Sequence, residues 1–309
     1  MFIEFKLDED PFINFSQPRT SSSNSATSPP LLNPFLKTSV DAQTTCGQIT
    51  AYATSHMSAQ YRTHVFFVLI CKDHARLIRW DRSGAIVTEP ILYNETPQLF
   101  DFFIHFDHSP PDVRGQDTTV RLANSEDTKD AVNAVEELKE LKKAQVPLLV
   151  VSVPNPTTRE PSQYVIAAPF ASPWVPVGRW TRTSIGYDIQ RKMSIFMKDS
   201  WRLDLPGVPK EGDVYSNFKV YGVPNVPRCS NSGDIGDDTY HATRTNRIVN
   251  ENWVSPYKYN LTKHRHYRLI LDDVGLPLDR FNCSREMVRA VRAALVGKFF
   301  LGIVESLSF

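Results

Sequence analysis

Apolar and polar residues alternate from Phe2 to Leu7, the period of a short strand. Serine and proline then dominate residues 16–40, which read as a disordered loop. Helical spacing returns over about 41–60, where Ile49, Tyr52, Ala53 and Met57 share one face. Three strand-like runs follow at 64–71, 75–81 and 85–91, the last after an Arg82-Ser83-Gly84 turn. Such short links predict an antiparallel meander. Residues 96–106 repeat apolar positions at helical spacing behind Thr96, a candidate cap. Residues 1–125 therefore read as an α+β domain.

The second half opens with one continuous helix expected over 126–145, its acids leading and its lysines trailing as the helix dipole favours. A buried strand is expected at 146–154 and a proline-rich loop at 154–176, around "QYVIAAPFA". Residues 175–189 read as two strands joined by a loop that begins at Gly178, and "MSIFMKDSWR" places Lys198 at a strand end. Glu211 opens a short helix over 211–222 that closes at Gly222. A strand at 266–273 runs into a connector containing Gly and Pro, and a helix with a serine cap occupies 284–296.

Composition narrows the function classes. Lysine plus arginine (35) nearly cancels aspartate plus glutamate (34), which argues against a general polyanion binder and so against nucleic acid as the partner. The four cysteines, Cys46, Cys71, Cys229 and Cys283, form no C-x-x-C pair and suit a reducing compartment. The N-terminus has no signal-peptide pattern, and no run reaches the roughly 18 apolar residues of a membrane span. An intracellular protein, cytoplasmic or nuclear, with no membrane partner is expected.

The candidate chemistry centres on Lys198 and Glu211. As isolated residues they read as a strand end and a loop, both charges in water. The order strand, glycine loop, strand, lysine strand, glutamate helix, strands and hinge is that of a kinase small lobe, in which the helix glutamate holds the lysine on the α/β-phosphates. Five segments then carry a resemblance: "GQITAYA" (47–53), "YRTHVFFVLI" (61–70), "RLIRWDRSGAIVTEP" (76–90), "DSWR" (199–202) and "GVPNVP" (222–227). Together they resemble the fungal-type protein kinase family, a divergent kinase-like group of mushroom-forming fungi, over about residues 2–296. The resemblance implies a family-specific α+β domain at 1–125 with the disordered insert at 16–40, then a helix and connecting segment at 126–169. A kinase-like small lobe at 170–283 and the first large-lobe helix with an aberrant tail at 284–309 complete the expected order. It also implies that Lys198 contacts phosphate, Glu211 pairs with it, and Gly178 is the first glycine of the loop over the nucleotide. Trp180 and Thr183 stand where the second and third glycines belong, so close backbone approach to phosphate is lost. Leu271 to Gly275, with Asp272 and Asp273, matches the hinge beside an adenine. ATP, weakly held, is the cofactor implied, with no magnesium, and the partner is an unidentified protein.

Catalysis needs a loop aspartate for the substrate proton and ligands for magnesium. "HRH" (264–266) and "DVG" (273–275) imitate H-R-D and D-F-G, but strand lead-in and hinge are the favoured readings. The chain is therefore expected to be a truncated member, inactive alone, that retains a degraded nucleotide pocket. The rivals are a non-enzymatic binding module acting through the N-terminal domain and a non-functional product. Two smaller candidates weigh less. Glu4-Phe5-Lys6 has the E-x-K spelling of restriction-type nucleases, whose fold the N-terminal domain could partly share, but such spelling is common on exposed strands. His105, Asp107, His108 and Asp112 crowd a helix end, where caps and solvated groups are expected rather than a metal. Met287, Val288, Val291 and Leu295 form an apolar stripe suited to a large-lobe core. Beyond it, "GKFFLGIVESLSF" departs from the pattern, and Gly-Lys-Phe is codable as a splice donor. Residues 298–309 are accordingly read as retained intron, or else as an apolar tail that packs back on the small lobe.

Overall fold

A computed structural model describes residues 1–13, 35–155, 158, 160–167, 174–249, 251, 254, 260–275 and 278–307, with side chains as far as residue 297. Most of the expected disordered loop at 16–40 lies outside the described residues. The chain divides into two units, each discontinuous in sequence. The first comprises 1–118, 170–180 and 237–265; the second comprises 119–169, 181–236 and 266–309.

The first unit is built on a four-stranded sheet in the order β1 (Phe2–Phe5), β2 (Val65–Ile70), β3 (Ala75–Asp81), β4 (Gly84–Val87). The expected meander β2-β3-β4 is antiparallel, whereas β1 joins β2 in parallel. The connection between them carries α1 (Val40–Ala59), capped by the Ser39 hydroxyl, which accepts from the Ala42 N–H at 3.3 Å. Ile49, Ala53 and Met57 are buried as their spacing predicts, but Tyr52 is half-exposed and stacks over Phe67 at 6.4 Å. α2 (Gln98–His108) sets Phe102 and Phe106 edge-on against Phe66 and buries none of its own residues. Thr96 is not its cap. The hydroxyl turns back to the Leu92 carbonyl, Pro97 occupies the cap position, and no side chain caps the helix. Asp81 binds this unit's distant segments: one carboxylate oxygen accepts from the Arg244 and Thr245 N–H groups at 2.8 and 3.0 Å.

The second unit holds a seven-stranded sheet ordered β10-β11-β9-β8-β7-β6-β5. In chain order the strands are β5 (Val120–Leu122), β6 (Leu148–Val153), β7 (Ser162–Ala167), β8 (Arg182–Asp188), β9 (Met193–Leu203), β10 (Cys229–Asp234) and β11 (His264–Leu271). Segment 126–169, expected only to connect, supplies β6 and β7 to this sheet. β7 arises where a proline-rich loop was expected, because Tyr164, Val165 and Ile166 are buried between two partner strands. Residues 175–189 hold one strand, not two, and Lys198 lies mid-way along the eleven-residue β9 rather than at its end. β10 is too polar to be legible as a strand, yet it pairs with β11.

The single helix expected at 126–145 is two helices. α3 (Ser125–Ala134) starts in a capping box between Asn124 and Asp127, and α4 is Glu136–Lys143. At the break, Val135 is extended (φ −125°, ψ 106°), which places its side chain in a core with Ala131, Leu138, Val150, Val165 and Tyr187. The pairings Val150–Val165, Val165–Tyr187 and Tyr187–Ser194 carry that face across to β9, where it continues through Phe196 and Lys198. α3 and α4 therefore pack on the same face as α5 (Glu211–Val220), whose Tyr215 packs, as Phe196 does, against the cluster of Tyr267, Leu269 and Leu271. The last helix runs Ser284–Leu307, so residue 298 is not a structural break. Its Val288, Val291 and Leu295 are exposed among the described residues. No described helix is long and apolar enough to cross a membrane.

Candidate functional site

β9 alternates strictly around Lys198. Ile195, Met197, Asp199 and Trp201 are buried on one face, while Phe196 and Lys198 point to the α5 side. Lys198 Nζ lies 2.8 and 2.7 Å from the two carboxylate oxygens of Glu211, both side chains partly open to water. Glu211 is the first residue of α5, where the helix dipole favours an acid. Three features hold that helix start in place. Lys210 Nζ meets Asp234 at 2.8 Å, and Arg202 grips the same carboxylate through Nε and Nη2 at 2.7 and 3.0 Å. Gly212 donates its N–H to Tyr267 Oη at 2.9 Å, and a Cβ at this position would overlap both Ser232 and Tyr267. Only glycine allows α5 to approach this sheet closely enough for Glu211 to reach Lys198.

Behind Lys198, Asp199 faces the other way into a buried polar cluster. Its carboxylate lies 3.1 Å from His266 Nε2 and accepts from Arg268 Nε at 2.7 Å; Arg268 continues to the Ser152 carbonyl and the Thr119 hydroxyl. Trp201 stacks flat on His266 at 5.0 Å. Burial alone would raise the Asp199 pKa, but His266 and Arg268 outweigh it and hold the group well below the usual carboxylate range. Nothing in the sequence pattern pointed to this cluster, because Asp199 lies 67 and 69 residues from His266 and Arg268.

At the expected hinge, Asp272 and Asp273 serve the framework. Arg191 Nη1 reaches Asp272 at 2.7 Å, the Asp272 N–H donates to the Arg228 carbonyl at 2.9 Å, and Asp273 accepts from the Arg228 N–H at 2.7 Å. Burial pushes the Asp272 carboxyl up, while Ser230 and the two arginines bring it below its ordinary value. Gly178 belongs to the first unit, not the second. It is left-handed (φ 94°), and its N–H donates to the Arg82 carbonyl at 2.8 Å. Trp180, also at positive φ, is buried with the Arg82 guanidinium 4.1 Å from its ring centroid. Thr183, expected in the loop, is a β8 residue directly opposite Lys198.

A lysine on a strand, hydrogen-bonded through its ammonium to both carboxylate oxygens of a glutamate that opens the next helix, is the arrangement the resemblance implied. A family profile described as fungal protein kinase matches residues 34–302. The chain belongs to the fungal protein kinase family. No curated protein and no solved structure matches it. The match passes residue 298 without a break, as the last helix does.

In this family member, His264, Arg265 and His266 are strand residues of β11, and Asp273-Val274-Gly275 follows the strand end. The residues of the two smaller candidates make local contacts. Glu4 and Lys6 pair with each other at 3.7 Å on β1 and just beyond it. His105 and His108 donate from Nδ1 to the Asp101 and Ile104 carbonyls at 2.7 and 2.8 Å, Asp112 accepts from the Val113 N–H, and Asp107 is exposed.

Proposed function

We propose that the second unit is the small lobe of this fungal protein kinase and that Lys198, held by Glu211, is its contact to the α/β-phosphates of ATP. The observation that carries the reading is the pair of hydrogen bonds that Lys198 Nζ donates to both Glu211 carboxylate oxygens, between a strand and the helix that follows it. Such a pair fixes an ammonium on one side of a sheet and leaves it partly open to an anion.

The residues fit a nucleotide only in part. Lys198 supplies positive charge, but the Gly178 N–H is committed to Arg82 and Trp180 is committed to the core, so neither offers a phosphate cradle. Asp272 and Asp273 shape the connector by clamping Arg191 and Arg228 rather than by touching the ligand. The reading assigns no described residue beside Lys198 to accept a substrate proton or to hold magnesium. The reading is therefore weak ATP binding without phosphoryl transfer by this chain alone.

Calorimetric titration of the full chain tests it. ATP is expected to bind near the millimolar range, about −4 kcal/mol. Magnesium should change the affinity little, and Lys198→Met should remove binding while the fold persists by circular dichroism. Tight, strongly magnesium-dependent binding, or radiolabelled phosphate transfer that Lys198→Met abolishes, would overturn it.

A further inference from the structure

Residues 61–64 and 110–117 of the first unit are laced together by backbone bonds. The Thr63 N–H donates to the Gly115 carbonyl at 3.0 Å and the Asp117 N–H to the Tyr61 carbonyl at 3.1 Å, with Arg62 opposite Gln116. The turn also closes on itself, since the Arg114, Gly115 and Gln116 N–H groups donate to the Pro110, Asp112 and Pro111 carbonyls. His64 Nε2 fastens the Val113 carbonyl at 3.0 Å.

This rigid platform holds two half-buried arginines together without an acid. Arg62 gives Nε to Gln60 Oε1 at 2.6 Å and Nη1 to the Arg114 carbonyl at 3.1 Å, which leaves Nη2 for another acceptor. Arg114 Nε is buried and donates to no described residue. Neither guanidinium forms an ion pair among the described residues, and burial, then the Arg114 charge, lowers the Arg62 pKa. In the last turn of α1, burial and then Arg62 push His56 down to about 4, so its imidazole is neutral. Its buried Nδ1 meets no described partner either.

A half-buried cation without a counter-ion is costly, and a second beside it adds repulsion. An anion that bridges the two removes both costs. A carboxylate would neutralise only one of them. A phosphate monoester carries about −1.5 to −2 charges at neutral pH and offers three acceptor oxygens. The planar guanidinium fork matches such oxygens in pairs.

We propose that Arg62 and Arg114 form a binding site for a phosphate monoester, as on a phosphorylated side chain, free inorganic phosphate being the other source of the same chemistry. The site belongs to the first unit and Lys198 to the second, so it is independent of the proposed nucleotide contact.

Two-dimensional NMR of the isotopically labelled full chain tests it, with O-phosphoserine and inorganic phosphate as probes. The amides of Arg62, Arg114 and Gly115 should shift saturably, with a dissociation constant of about 1 mM or below. Arg114→Gln removes a guanidinium that bonds no described residue. It should weaken binding about 10-fold or more, while the urea midpoint stays level or rises. Arg114→Lys keeps the charge, loses the fork and should bind with intermediate affinity. Tighter binding of O-phosphoserine assigns the site to a phosphorylated side chain, and tighter binding of inorganic phosphate assigns it to the free ion. Lys198→Met should change none of this. Shifts that do not saturate by about 10 mM, equal shifts with acetate or chloride at matched ionic strength, or binding that survives Arg114→Gln overturn the proposal. Shifts abolished by Lys198→Met would place the phosphate at that lysine and overturn it as well.

Discussion

Gly212 governs the site without touching a ligand. Its lack of a Cβ lets the start of α5 reach Tyr267 and Ser232, and Glu211 is carried to Lys198 as a result. Gly212→Ala should cost about 1–3 kcal/mol as an overpacked position, read by urea unfolding, and should loosen the ion pair. An unchanged midpoint would show that the helix is not so closely seated. His64 makes a separate prediction. Burial pushes its pKa from 6.5 down to about 3, and Nε2 is bonded to the Val113 carbonyl. Between those two values the unfolded chain holds the proton and the folded chain does not. The stability contributed is complete above pH 6.5 and falls as pH drops, by up to about 1.4 kcal/mol per pH unit. His64→Gln should flatten that part of the stability–pH curve; an unaltered slope would contradict the buried neutral imidazole. Lys198 and Glu211 were legible because their charges stand at marked points of an apolar pattern. Gly212 was not, because its requirement comes from residues 20 and 55 positions away.

Elements were legible where periodicity and burial agreed, as in α1, β2 and β3. They were misread where tertiary contact overrode the local pattern. Val135 leaves a helical run because its side chain is worth more in the core than in a continued helix. β7 lies amid prolines yet completes two ladders, and β10 is held to β11 by backbone pairing that no side-chain pattern announces. The segment around Gly178, where the resemblance implies a nucleotide loop, is fastened to Arg82 by a backbone hydrogen bond and a ring contact. Such a contact is worth about 0.5–2 kcal/mol, depending on how far it is desolvated. Trp180→Ala should therefore speed hydrogen exchange at the Gly178 amide about 2- to 30-fold. Exchange at the wild-type rate would mean that the ring does not hold the segment.

At the scale of the molecule, family membership was legible from short segments spread along the chain, and the match over 34–302 establishes it. The division into units was not legible as linear boundaries. Residues 170–180 and 237–265 belong with 1–118, whereas 119–169 build the sheet that carries Lys198. A composition scan follows the chain and does not register returns to an earlier unit. The proposed function turns on one placement, Lys198 as the phosphate contact. It is tested most directly by treating the full chain with an acyl-phosphate derivative of ATP, which acylates a lysine beside bound phosphate, and mapping the adduct by mass spectrometry. The prediction is acylation at Lys198, suppressed by excess ATP and reduced in Glu211→Gln. Labelling that spares Lys198, or that excess ATP does not suppress, would contradict it.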